Sequence, residues 1–160
     1  MKISDKIAEV LVSNNITDVF MVTGGMAMHL NDSLTRKKEL NVTFFHHEQA
    51  CAMAADAYSR STGKISAICV TAGPGGINAI NGVFGSFVDS LPMIVISGQA
   101  KTSTMVSSYK DKNVRQLGDQ EVDIVSMVGK VTKLATVVRD PLTIADLVDK
   151  CFVLSMSGRM

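Results

Sequence analysis

Apolar positions along the chain change their period several times, and each change marks an element. Ile3, Ile7, Val10 and Leu11 recur at helical spacing, which predicts an amphipathic helix over residues 3–14. Val19-Phe20-Met21-Val22 then reads as a short buried strand, broken by Thr23-Gly24-Gly25. A helix is predicted from about residue 26 to 37, a strand from Val42 to Phe45, and a helix from about His46 to Ser61, stopped by Gly63. The β-rich run Ile65 to Thr71 leads through Gly73-Pro74-Gly75-Gly76 into a helix from about Gly76 to Phe87. Pro92 to Ser97 is another strand, ended by Gly98, and residues 101–120 are polar and irregular, a long loop. Val122 to Val128 is predicted helical, Val131 to Val138 a strand, and Leu142 to Met156 a closing helix introduced by Asp140-Pro141.

Helices alternating with strands that are apolar on both faces predict a three-layer α/β/α domain. Its central sheet is mostly parallel, with helices on both faces. In such sheets ligands gather at the carboxyl ends of the strands. Those ends carry Thr23-Gly24-Gly25, His46-His47-Glu48, Thr71-Ala72-Gly73 and Ser97-Gly98, so four segments fall on one rim.

Two helices have too little polar surface. In the helix after Glu48 only Gln49, Asp56 and Arg60 make a narrow polar edge, and the helix after Gly76 has no charge until Asp89. A surface helix should carry a polar face, so a further subunit or domain is expected to cover these two.

The composition is 46% hydrophobic and 19% charged with a net charge of +1, which fits a single globular domain over residues 1–160. No basic stripe with interleaved aromatics is present, so nucleic acid is not the expected partner. Residues 65–88 are uncharged over nearly a membrane span, but the glycine turn, Asn78 and Asn81 break the run into a strand and a buried helix, and no membrane partner is expected. The three cysteines, Cys51, Cys69 and Cys151, lie far apart without a CxxC pair, which points to reduced thiols. The N-terminal residues are charged and helical and do not resemble a signal peptide, so a cytoplasmic protein is expected.

The candidate chemistry is confined to the rim. Gly73-Pro74-Gly75-Gly76 is not a GxGxxG or GK[ST] loop, and a close backbone approach to a flat ligand suits it better than a dinucleotide. His46, His47 and Glu48 are adjacent and splay apart without a distant third ligand, so no metal site is assigned and the histidines read as turn residues. Glu48 stands among Phe44, Phe45, Ala50, Cys51 and Ala52. Partial desolvation penalises a carboxylate anion while a helix N-terminus favours it. A group so balanced can exchange a proton with a bound base or simply cap the helix, and the residues alone leave both readings open.

Taken together these residues resemble the N-terminal, pyrimidine-binding domain of thiamine diphosphate enzymes of the acetolactate synthase and pyruvate decarboxylase group. The likeness rests on Val19-Phe20 with Gly24-Gly25, then HHEQACAMAADAYSRSTGK, TAGPGGINAINGV, DSLPMIVISGQ and DQEVDIVSMVGKVTK, in order along nearly the whole chain. It implies that Glu48 hydrogen-bonds N1′ of the cofactor's aminopyrimidine and promotes loss of the thiazolium C2 proton, so that C2 can attack a 2-keto acid such as pyruvate. It further implies that Gly24 and Gly25 let the backbone approach the pyrimidine, that Thr71 and Asn78 line the cofactor, and that Gln120 stands near the reacting carbon. Decarboxylation or carboligation follows from the resemblance, with Asp119 in place of an aromatic residue leaving a keto-sugar nucleotide open as acceptor.

In that family the diphosphate and Mg2+ are held by a separate C-terminal domain with a GDG…N motif, and the cofactor lies between two chains. No such motif occurs here, so the central and diphosphate-binding domains are expected to lie outside this chain, and the isolated chain is expected to be inactive. A homo-oligomer, dimer or tetramer, is implied, while FAD is left undetermined. A pyrimidine-binding subunit of a two-chain decarboxylase and a non-catalytic assembly domain of the same fold are the alternatives.

Overall fold

The computed structural model describes residues 2–109 and 111–160. In chain order the elements are α1 (Ile3–Ser13), β1 (Asp18–Met21), α2 (Met28–Arg36), β2 (Asn41–Phe44), α3 (Glu48–Thr62), β3 (Ser66–Val70), α4 (Pro74–Asp89), β4 (Met93–Ser97), α5 (Ile124–Val128) and α6 (Ile144–Met156). The described strands form one parallel sheet in the order β2-β1-β3-β4, with Val19 paired to Val42 on one side and Ala67 on the other.

Alternation along the inner strands builds two cores. Val19, Met21, Ala67 and Cys69 face a layer made by α1, α2 and α6, where Leu11, Leu34 and Val148 are buried with them. Ile68 and Val70 face the opposite layer, where Cys51, Ala52 and Ala55 of α3 meet Ala79 and Val83 of α4. Helices therefore cover both faces of the sheet, as the alternating pattern predicts.

The two polar-poor helices cover each other in part. They run alongside one another in a register of thirty residues, with Glu48 facing Asn78 and Asp56 facing Ser86. At the crossing, a Cβ on Gly82 would lie 2.6 Å from Ala52 Cβ and 2.8 Å from the Met53 nitrogen, so only glycine permits this approach. Their outer faces remain open, with Met53 48%, Ile77 40%, Phe84 51% and Val88 53% exposed.

Two expectations are corrected. Residues 131–138 do not join the sheet, although Val131, Leu134 and Val137 line an apolar cavity of about 480 Å³ together with Ile94 and Ile96 of β4. The start of that segment is held elsewhere: the Val131 N–H donates to the Val128 carbonyl, and Lys133 Nζ donates to the Leu154 and Ser157 carbonyls at the end of α6. The apolar, β-branched run met the hydrophobic requirement of a strand without the ladder that makes one. The glycine turn is also shorter than expected, because α4 begins at Pro74, a residue preorganised for the first helical position.

Candidate active site

The chain leaves β1 towards β2 and leaves β3 towards β4, on opposite sides of the sheet. Loops therefore diverge at the carboxyl ends of β1 and β3, and a crevice opens between them. The Val22 N–H donates to the Cys69 carbonyl, and the Ser97 hydroxyl donates to the Thr71 carbonyl at 3.3 Å, so three strand ends are tied together at this rim.

Thr71 stands in the middle of the crevice. Its Oγ1 is buried and has no hydrogen-bond partner among the described residues, which is rare for a buried polar atom. Gly24 presses against it so closely that any side chain there would overlap Thr71. A Cβ on Gly75 would fall 2.7 Å from Thr71 Cγ2 and 3.4 Å from Glu48 Oε1. Gly25, by contrast, faces open space, with no atom within 4 Å of where a Cβ would stand.

Glu48 is the first residue of α3 and is half-buried. His47, extended at the helix cap, accepts a hydrogen bond on Nδ1 from the Gln49 N–H at 3.2 Å. Asn78 Nδ2 donates to Glu48 Oε2 at 3.1 Å. The aromatic run before Glu48 shields it less than its composition suggested, because Phe44 is 55% exposed. Behind the carboxylate, burial and then the Glu48 charge push the Cys51 thiol up to about 12. Cys51 is thus a neutral, apolar floor and not a nucleophile.

Gln120 is brought to the same rim by the long loop. It takes a left-handed φ of 50°, and its carbonyl lies against Gly73, whose own φ is 61°. The loop is anchored by Glu121, whose two carboxylate oxygens accept from the Val106 N–H at 2.9 and 3.0 Å. The structure thus brings Gly24, Glu48, Thr71 and Asn78 into one wall, sets Gln120 beside it at Gly73, and leaves Gly25 open. Gly73 and Gly75 were assigned no individual role from sequence; the run Gly73-Pro74-Gly75-Gly76 signalled close approach without revealing that Thr71 and Gln120 are what approach.

A crevice at the switch point of a parallel sheet, crowded by glycines and carrying one half-buried carboxylate, defines a cofactor-binding α/β domain. The chain belongs to the thiamine pyrophosphate enzymes, matching their N-terminal TPP binding domain over residues 1–127. It is 34% identical over 159 residues to acetolactate synthase 2, chloroplastic, of Zea mays, covering 98% of this chain and 23% of that protein. The acetolactate synthase large subunit of Buchnera aphidicola from Acyrthosiphon pisum is 33% identical over 156 residues, 98% of this chain and 26% of its own length. Acetolactate synthase isozyme 3 large subunit of Escherichia coli K12 is 31% identical over 156 residues, again 98% and 26%. The chain spans about a quarter of the length of these relatives. Among the described residues no helix is long and apolar enough to cross a membrane.

Proposed function

We propose that this domain is the cofactor-activating part of an acetolactate synthase-like thiamine diphosphate enzyme acting on a 2-keto acid such as pyruvate. The observation that carries the reading is a buried, unpartnered hydroxyl beside a half-buried carboxylate on one glycine-lined wall of the crevice. Such a wall fits a flat heteroaromatic ring: Gly25 leaves room for its plane, and Thr71 and Glu48 offer hydrogen-bonding groups at its edge. These residues would hold the pyrimidine half, with the diphosphate and Mg2+ held by a domain outside this chain. When bound, thiamine diphosphate would supply an electron sink for the pair left on the keto carbon as the carboxylate departs as CO2. Glu48 holds and moves a proton at Oε1, the oxygen that Asn78 leaves free, and Cys51 keeps the floor beneath it apolar. Gln120, seated on Gly73, would meet the substrate.

The exposed Met53, Ile77, Phe84 and Val88 supply an apolar face for a second chain, which supports a homo-oligomer with the site at the interface. A cytoplasmic enzyme is part of the same proposal. A non-catalytic assembly domain is disfavoured by Thr71, since a buried hydroxyl with no partner costs about 1–3 kcal/mol and has no use without a ligand.

The test uses the whole enzyme that carries this domain, comparing wild type with Glu48→Gln. Exchange of the cofactor C2 proton and pyruvate consumption are expected to fall by about 10²–10⁴-fold. Exchange at the wild-type rate in the variant would overturn the proposal.

A further inference from the structure

We infer that Asn78 is a positioning residue for Glu48 and not itself a contact of the cofactor, an inference that rests on the function proposed above. Its amide Nδ2 donates to Glu48 Oε2 at 3.1 Å, and among the described residues this is the hydrogen bond made by that carboxylate. The other oxygen, Oε1, lies on the side of Gly75 and Thr71, towards the crevice. One oxygen is therefore held from the neighbouring helix while the other is left for the ligand.

An amide suits this task chemically. It donates to the carboxylate without a charge of its own, so it fixes the orientation of the group without locking it into an ion pair, and it neither takes nor gives up a proton at any ordinary pH. The geometry is stiff. Asn78 and Glu48 are one helical turn from the contact of Gly82 with Ala52, where the backbones of α4 and α3 come closest. Asn78 is itself exposed, so its amide is not needed to satisfy a buried group in the fold.

The inference is tested by a double-mutant cycle in the whole enzyme, with thiamine diphosphate affinity measured by calorimetric titration at fixed Mg2+ and C2 proton exchange followed by NMR. In the wild-type background Asn78→Ala is expected to slow exchange about tenfold and weaken the cofactor about fivefold, with the pyruvate KM unchanged. In the Glu48→Gln background the same substitution should change cofactor affinity by less than about twofold, because the group it positions has been replaced. Asn78→Asp should be worse than Asn78→Ala, since two carboxylates would face each other. The pair Glu48→Gln with Asn78→Asp should regain the affinity lost in Asn78→Asp, the new amide donating in the reverse direction, while exchange stays lost. Equal effects of Asn78→Ala in both backgrounds, or no recovery in the swapped pair, would overturn the inference and leave the role of Glu48 standing. Wild-type exchange in Glu48→Gln would instead remove the proposed function itself. If Asn78→Ala does not fold, Asn78→Asp and the swapped pair decide the question by themselves.

Discussion

The carbonyl of Gln120 occupies the space that a side chain on Gly73 would need. Gly73 has φ 61° and ψ −121°, a region that residues with a Cβ enter only under strain. Gly73→Ala is therefore expected to cost about 1–3 kcal/mol of stability and to push residues 118–121 off the rim. In the whole enzyme the substrate KM should rise about tenfold or more, while thiamine diphosphate affinity changes less. Steady-state kinetics beside a cofactor titration measure both.

Thr71→Val keeps the shape of the side chain and removes the orphaned hydroxyl. If that hydroxyl waits for a ligand, the substitution has opposite effects on the two states. The cofactor-free protein should gain about 1 kcal/mol, and thiamine diphosphate affinity should fall about fivefold. Urea unfolding without cofactor and calorimetric titration with it report the two signs.

Burial, with a smaller contribution from Glu48, pushes the Cys51 thiol up to about 12, and burial, with a smaller contribution from Cys51, does the same to Cys69. At pH 8 only about one such thiol in 10⁴ is ionised. Cys151 is half-buried, and its thiol is raised by burial against the opposing pull of Lys150. Alkylation of the native protein is expected to label Cys151 first and to leave Cys51 and Cys69 unmodified until denaturant is added, as read by mass spectrometry of the peptides.

At the other end of β1, burial pushes the Asp18 carboxyl up, but hydrogen bonds from Thr17, Tyr58 and Asn41 outweigh it and hold it below the ordinary aspartate value. A carboxyl lowered in the folded state stabilises above its unfolded value, and that contribution is lost as pH falls through the folded value. Tyr58 donates to Asp18 Oδ2 at 2.7 Å. Tyr58→Phe should destabilise the protein by about 1 kcal/mol at pH 7, with the difference from wild type narrowing below about pH 4. Urea midpoints at pH 7 and pH 3 test the sign.

Most of the fold was legible because its elements are punctuated locally. Gly63, in a left-handed conformation, ends α3 as expected, and the apolar runs at Val19, Ile65 and Ile94 became strands. The failure at 131–138 has a different character. Apolar β-branched residues say that a segment is half-buried and extended, but not that it will make ladder hydrogen bonds: β4 is an edge strand here, and Lys133 is drawn instead to the end of α6. The site was legible in part. Glu48 stood out as a carboxylate in apolar company, and Thr71 and Asn78 as polar residues on the rim. Their relations did not: Thr71 against Gly24, Gln120 against Gly73 and Asn78 to Glu48 all join segments far apart in sequence, and no spacing rule encodes them.

The shared register of α3 and α4 also protects against error. If one helix slid along the other by a turn, Glu48 would face Pro74 or Gly82 in place of Asn78, and neither has a side chain able to donate. The contact of Ala52 with Gly82 would be broken by the same slip, since the residues one turn to either side of Gly82, Asn78 and Ser86, both carry side chains. A slip of one turn would thus cost the domain its carboxylate anchor and its closest helix contact at once.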